Sequence, residues 1–190
     1  IINANDPQDI FIVSPFSSAT EFDLLGPVSY FGIRFRLLGH QGLITAPVGE
    51  WSEDEAVQVA DLLPSDVLYK IHECFEKALP FNIRCKNLST ILLGTMRYPK
   101  VDVRLARYIR FCHANIASNT SISDKQCGDF GLSSRQLRRL SQQYLGLSPR
   151  ELARVFRFQS MLKTMNAGQA KTAWADHYHD QSHFIREFKS

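Results

Sequence analysis

Arg135, Arg138 and Arg139 fall within little more than one helical turn of each other. If the segment after Ser133 is a helix, Leu137, Leu140 and Tyr144 make its buried stripe. Ser134, Arg135, Arg138, Arg139 and Gln142 are then left on the wet face. A solvated helix ordinarily mixes signs, so that acids and bases pair one turn apart, yet this face carries three guanidinium groups and no carboxylate. The chemistry open to such a face is recognition of a polyanion. A guanidinium fork can bond the O6 and N7 edge of guanine, and backbone phosphates attract every positive charge. A plain basic surface helix is the alternative reading of the same residues. Cys74, Cys85, Cys112 and Cys127 never form a C-x-x-C pair, so neither a zinc ribbon nor a redox motif is signalled, and buried, reduced thiols are expected.

The elements that must position the arginines are marked by local chemistry. Ser123 with Gln126, Ser133 with Gln136 and Ser148 with Glu151 each have the spacing of a capping box, and Pro149 occupies the favoured first helical position after Ser148. Gly131-Leu132-Ser133 reads as a helix stop followed at once by a new cap, the signature of a helix-turn-helix. Upstream, Val101 to about Ala117 predicts a helix with Leu105, Tyr108, Ile109 and Cys112 inward and Arg104, Arg107 and Arg110 outward. Downstream, a helix from Pro149 to Asn166 would be about 27 Å long, with Leu152, Val155, Phe156, Met161, Leu162 and Met165 packing inward.

The first half has another texture. Its first 40 residues are rich in Phe, Val and Ile and broken by Pro7, Pro15, Gly26 and Pro27, which predicts short strands. The clearest is Val28 to Leu37, where Ile33 and Phe35 alternate with Arg34 and Arg36. After Gly49 the pattern turns helical. One helix is expected from a capping box at Ser52 and Glu55, with Val57, Ala60 and Leu63 inward; a second from Ser65 to Leu79, with Val67, Leu68, Ile71, Cys74, Phe75 and Ala78 on one stripe; a third from Leu88 to Met96. Arg97 to Lys100, containing Pro99, is the expected boundary.

Charge divides at the same place. Residues 1–100 hold 8 Lys and Arg against 12 Asp and Glu, a net of −4, whereas residues 101–190 hold 14 against 7, a net of +7. A basic half beside an acidic one suits a polyanion-binding module attached to something that does not touch the polyanion. With 44% hydrophobic residues in 190, two small cores are feasible. No apolar run approaches the ~20 residues of a membrane span and no charged-then-apolar leader opens the chain, so no membrane partner and a cytoplasmic location are expected. The chain opens on Ile1 without an initiator Met and stops at Ser190 inside an expected helix, and is read as a fragment.

Several runs in the second half together carry a family resemblance. Gly131-Leu132-Ser133-Ser134-Arg135-Gln136-Leu137-Arg138-Arg139, Gly146-Leu147-Ser148-Pro149, Arg157-Phe158-Gln159, and Asp180 to Lys189 resemble, in order and spacing, the DNA-binding domain of AraC-type bacterial transcription regulators. The resemblance covers roughly residues 101–190. It implies two helix-turn-helix units joined by a long helix, with the two recognition helices in successive major grooves. It further implies base-edge contacts from Arg135, Arg138 and Arg139 in the first unit and from Gln181, Ser182, His183 and Arg186 in the second, with Ser134, Gln136 and Lys189 on phosphates. Asp180 would cap the second recognition helix, with Phe184, Ile185 and Phe188 as its apolar face. Trp174 and His177 depart from the family pattern, where a smaller aliphatic residue and a Gly usually stand. More weakly, Phe31-Gly32-Ile33-Arg34-Phe35-Arg36 resembles the closing strand of the cupin-type sensor barrel in one AraC subgroup.

The expected chain is therefore α+β: a sensor or dimerisation region over 1–96, the end of a small β-barrel followed by helices, and then an all-α DNA-binding domain over 101–190. Double-stranded DNA is the expected partner, with RNA polymerase, a small-molecule effector and a second copy of the chain beside it. No catalytic residue, metal or cofactor is expected, and no effector-binding residue is assigned. Three rivals stand beside this reading. An alkylation-repair regulator would need a cysteine cluster of metal-ligand type, and the first half offers only Cys74 and Cys85. A metal site is suggested by His177, His179, Asp180 and His183, although a capping role for Asp180 and a groove-facing place for His183 account for two of the four without metal. The third is a helical protein-interaction module with vestigial DNA binding.

Overall fold

The computed structural model describes residues 1–3, 6, 9–15, 29–44, 46–51, 57–76, 78–98, 101–115, 123–169, 182 and 185. The chain separates into two units, the first made of 1–14 and 21–101, the second of 15–20 and 102–190. Among the described residues it is mostly helical with two small antiparallel sheets of two strands each, an α+β chain. No helix among them is long and apolar enough to cross a membrane.

In the first unit, β1 (Ile2–Asn3) pairs with β3 (Tyr30–Phe31), and β2 (Phe11–Ile12) pairs with β4 (Val57–Gln58). A single antiparallel bridge, Ile2 to Ile10, joins the two ribbons. The long strand expected from Val28 is much shorter than the sequence pattern. Among its described residues only Tyr30 and Phe31 find a partner strand, yet the alternation survives without a ladder, with Ile33 and Phe35 half-buried and Arg34 and Arg36 exposed. The helix expected through Val57, Ala60 and Leu63 is replaced by β4 and a 3-10 turn over Val59–Asp61, and its proposed cap at Ser52 and Glu55 lies outside the described residues. The reason is non-local: Ile10 offers its carbonyl to the Val59 amide at 3.0 Å, so the backbone satisfies itself across the ribbon rather than along a helix.

Helix α1 (Ser65–Glu76) buries Val67, Ile71, Cys74 and Phe75, leaving Leu68 half-buried and Ala78 exposed beyond its end. Helix α2 (Phe81–Thr95) starts seven residues before the expected Leu88. In its first turns Phe81 meets the Phe31 ring at 5.5 Å and Cys85 is half-buried, while Arg84 lays its guanidinium 4.7 Å from the Phe75 ring centre and donates from Nε to the Cys74 carbonyl at 3.2 Å, at the carbonyl end of α1. These helices pack on the ribbons through a core of Ile2, Ile10, Val59, Val67, Ile71 and Leu88. A second core of Leu43, Ile44, Val48 and Trp51 shares Ile12, Leu63 and Leu92 with the first.

Among its described residues the second unit has helices and turns and no strand. Helix α3 (Val103–Ala114) begins later than expected, because Asp102 accepts the Arg104 amide and caps it, and it ends earlier, with Asn115 as its C-cap. Helix α4 (Asp124–Asp129), α5 (Ser134–Leu145) and α6 (Pro149–Thr164) follow, and a π-helical turn over Met165–Gln169 continues the last. Helix α5 packs against α3, α4 and α6. The buried side chains include Leu105, Tyr108, Cys127, Leu132, Leu137, Leu140, Leu145, Leu152, Phe156 and Met161. Three expected core positions differ: Leu162 and Met165 are exposed, and Val155 is half-buried.

Candidate nucleic-acid interface

Three helix starts in this unit follow from side-chain chemistry. At Ser123, Ser133 and Ser148 the hydroxyl accepts the amide three residues on, and Gln126, Gln136 or Glu151 reaches back to the serine amide at 3.0, 3.0 and 2.7 Å. Pro149 stands at the first turn of α6. Between α4 and α5 the chain reverses through Phe130, Gly131, Leu132 and Ser133. The Gly131 and Leu132 amides bond back to the carbonyls of Gly128 and Cys127 at 2.8 and 3.1 Å, and Gly131 takes φ of 73°, which only glycine adopts without strain. Leu132 is buried, pinning the turn to the core. The result is a helix, a tight turn and a second helix whose start is set by a reciprocal cap.

Helix α5 buries Leu137, Leu140, Ser141 and Leu145, with Tyr144 half-buried. Arg135, Arg138, Arg139 and Gln142 are exposed, and no Asp or Glu stands anywhere in the helix. Two contacts of this face are local to α5 and its cap. Arg139 reaches Gln143 at 3.4 Å, and Gln142 donates to the Gly146 carbonyl at 3.0 Å. Ser134 and Gln136, the expected phosphate contacts of this unit, are partly committed. The Ser134 hydroxyl lies 3.6 Å from the Cys127 sulfur, and the Gln136 carbonyl oxygen accepts the Ser133 amide, so its NH2 end is the part that can reach outward. Of the residues expected to read the second groove, Ser182 is helical and exposed, whereas Gln181, His183 and Arg186 lie outside the described residues, as does the expected phosphate contact Lys189; Ile185, expected on the apolar face of that helix, is instead exposed. Asp180, Trp174 and His177 also lie outside them, as do Phe184 and Phe188.

Arg104 lies at the surface, as the sequence reading has it, with its side chain 41% exposed, and it holds contacts that reading did not include. Its Nε and Nη2 grip the Asp102 carboxylate at 3.0 and 2.7 Å, while Nη1 donates to the Gly131 carbonyl at 3.1 Å. The guanidinium beside it holds the Asp102 carboxyl at about 2, chiefly through its hydrogen bonds, against an ordinary 3.8. A folded value below the unfolded one means that the bridge contributes fully above about pH 4 and is lost as the pH falls through about 2. Acid unfolding followed by circular dichroism should therefore bring wild type and Asp102→Asn together across that window, because Asn still caps the helix but has no carboxylate to protonate. A gap between the two that stays constant into acid would show that the carboxylate is not linked to folding.

Burial raises the Tyr108 phenol, which donates to the Pro149 carbonyl at 3.3 Å, and burial likewise raises the Cys112 thiol. Tyr108 and Phe111 both meet the Phe130 ring edge-on, at 5.8 and 5.4 Å, seating α3 beside the turn. Among the described residues no group of three His, Cys, Asp or Glu side chains is placed to hold a metal ion. His177, His179, Asp180 and His183 are not among them. Cys74 lies on the buried stripe of α1, its thiol directed to the Lys70 carbonyl, and Cys85 is half-buried on α2. In comparisons with known proteins, no family model, no curated protein and no solved structure matches this chain.

Proposed function

We propose that the second unit binds double-stranded DNA by laying α5 in a major groove, and that the chain is a sequence-specific transcription regulator of the AraC type without catalytic activity. The observation that carries this reading is the outer face of α5: Arg135, Arg138 and Arg139 stand exposed on a helix without a single acid, directly after a glycine turn of helix-turn-helix length. A groove-bound helix needs this combination. Arginine forks reach guanine edges, the absence of carboxylates avoids repulsion from phosphate, and the capped start keeps the helix in register against its support. On this reading Arg135, Arg138 and Arg139 contact bases, joined in a second groove by Gln181, Ser182, His183 and Arg186. Ser134, Gln136 and Lys189 hold phosphates. The acidic first unit would serve as a sensor or pairing region for a small-molecule effector or a second copy, in a cytoplasmic protein that acts on RNA polymerase.

The test is a titration of the full chain against random duplex DNA at several salt concentrations, followed by selection of bound sequences. Affinity should fall steeply with salt, by about one power of the salt concentration for each phosphate contacted, and selection should enrich a discrete motif. Binding that ignores salt, or selection that enriches nothing, would favour a protein-interaction module instead.

A further inference from the structure

Resting on the reading of α5 as a DNA-recognition helix, we propose that Arg104, on α3, is a positioning residue that sets the pose of that helix without touching DNA. Its guanidinium makes three bonds at once. Two go to Asp102, the residue that caps α3, and the third crosses 27 positions of sequence to the Gly131 carbonyl in the turn before α5. Asp102 is thereby used twice, as helix cap and as anchor for the fork. An exposed ion pair is usually worth little, and Arg104 and Asp102 are 41% and 19% exposed, but this pair is bidentate, which is the geometry in which such a pair holds a shape.

The turn it grips joins α4 to α5. Gly131 has positive φ, so its peptide orientation is not set by side-chain sterics, and two residues later Ser133 caps α5. A carbonyl held from outside at that point fixes how the backbone leaves the turn. The hydrophobic contacts of Leu132 and Leu137 fix the depth of α5, and the Arg104 clamp fixes its direction. Lysine keeps the charge but has no planar fork to span Asp102 and Gly131 together. Arg104→Lys therefore separates geometry from charge, and Asp102→Asn keeps the cap while weakening the anchor.

The experiment measures the full-length wild type, Arg104→Lys, Asp102→Asn and the double variant against a duplex selected by the wild type and against its scrambled counterpart, across a salt series. Thermal unfolding confirms that each variant is folded. The expected result is about tenfold weaker binding to the selected duplex for each single variant, no further loss in the double variant, and unchanged scrambled-duplex affinity and salt slope. The contrary reading, that Arg104 is itself a phosphate ligand, makes opposite predictions. Asp102→Asn would then free the guanidinium and tighten binding to both duplexes, and Arg104→Lys would leave discrimination intact. Either result, or folded variants indistinguishable from wild type, overturns the positioning role while leaving α5 as reader. A wild type that binds no duplex overturns the reading of α5 itself, and the positioning role with it.

Discussion

Arg139→Ala should weaken binding to a selected duplex by roughly 5- to 150-fold, the equivalent of about 1–3 kcal/mol for a lost bidentate base contact, and should relax the preference at one base pair. Affinity for scrambled duplex should fall much less. Arg139 is exposed and its bond to Gln143 lies on its own helix at 3.4 Å, so the side chain can leave it for a base edge without disturbing the core. Alanine is the best helix former, and α5 keeps its cap at Ser133, so folding should be little changed. Lys189→Ala offers the contrast. As a phosphate contact its loss should weaken selected and scrambled duplexes together and flatten the salt slope by about one unit. Equal losses on both duplexes for a folded Arg139→Ala would withdraw Arg139 as a base reader, and selection from random duplexes by the variant would show directly whether one position had relaxed.

The other large effect belongs to the inner face of the same helix. Leu137→Ala should cost about 2–5 kcal/mol of folding stability, because Leu137 is almost wholly buried beneath the arginine face and its loss leaves a cavity in addition to lost transfer energy. In a unit of this size that should lower the unfolding midpoint by roughly 10 °C or more. Binding should then fail for every sequence at the temperature where circular dichroism reports unfolding, and discrimination should be kept below it. The two substitutions stand two positions apart on one helix and act on different quantities, one on preference and the other on stability. Loss of discrimination by a fully folded Leu137→Ala would mean that the pose of α5 depends on this single contact, and that the core and the outer face cannot be treated separately.

Where the sequence reading and the structure part company, distance along the chain explains it. The strand over Tyr30 and Phe31 and the strand at Val57 and Gln58 take their partners from the opening residues, some tens of positions away. Nothing local distinguishes Val57 to Leu63 from a helix, since its apolar spacing suits one, and the outcome rests on a free carbonyl at Ile10. The first turns of α2 escaped notice for a related reason. Before Leu88 the apolar spacing rests on Phe81 and Cys85 alone, and the buried side is completed by Arg84, which covers Phe75 with its guanidinium and caps α1.

What the sequence determined by itself is what i to i+4 chemistry can determine. Serine and glutamine three apart make reciprocal caps in any context, so three helix starts were legible, and so was the acid-free arginine face of α5, because 3.6-residue periodicity places every side chain once the start is known. The glycine at the turn was legible as well, since positive φ has a single favoured residue type. Only the tertiary structure decided what holds that turn. Arg104 looks like an outward-facing arginine in its own helix, and its spacing from Asp102 suggests no more than a local pair. Its third bond exists because packing of Tyr108 and Phe111 on Phe130 brings the start of α3 against Gly131, and a contact across 27 residues leaves no trace in the pattern of either segment.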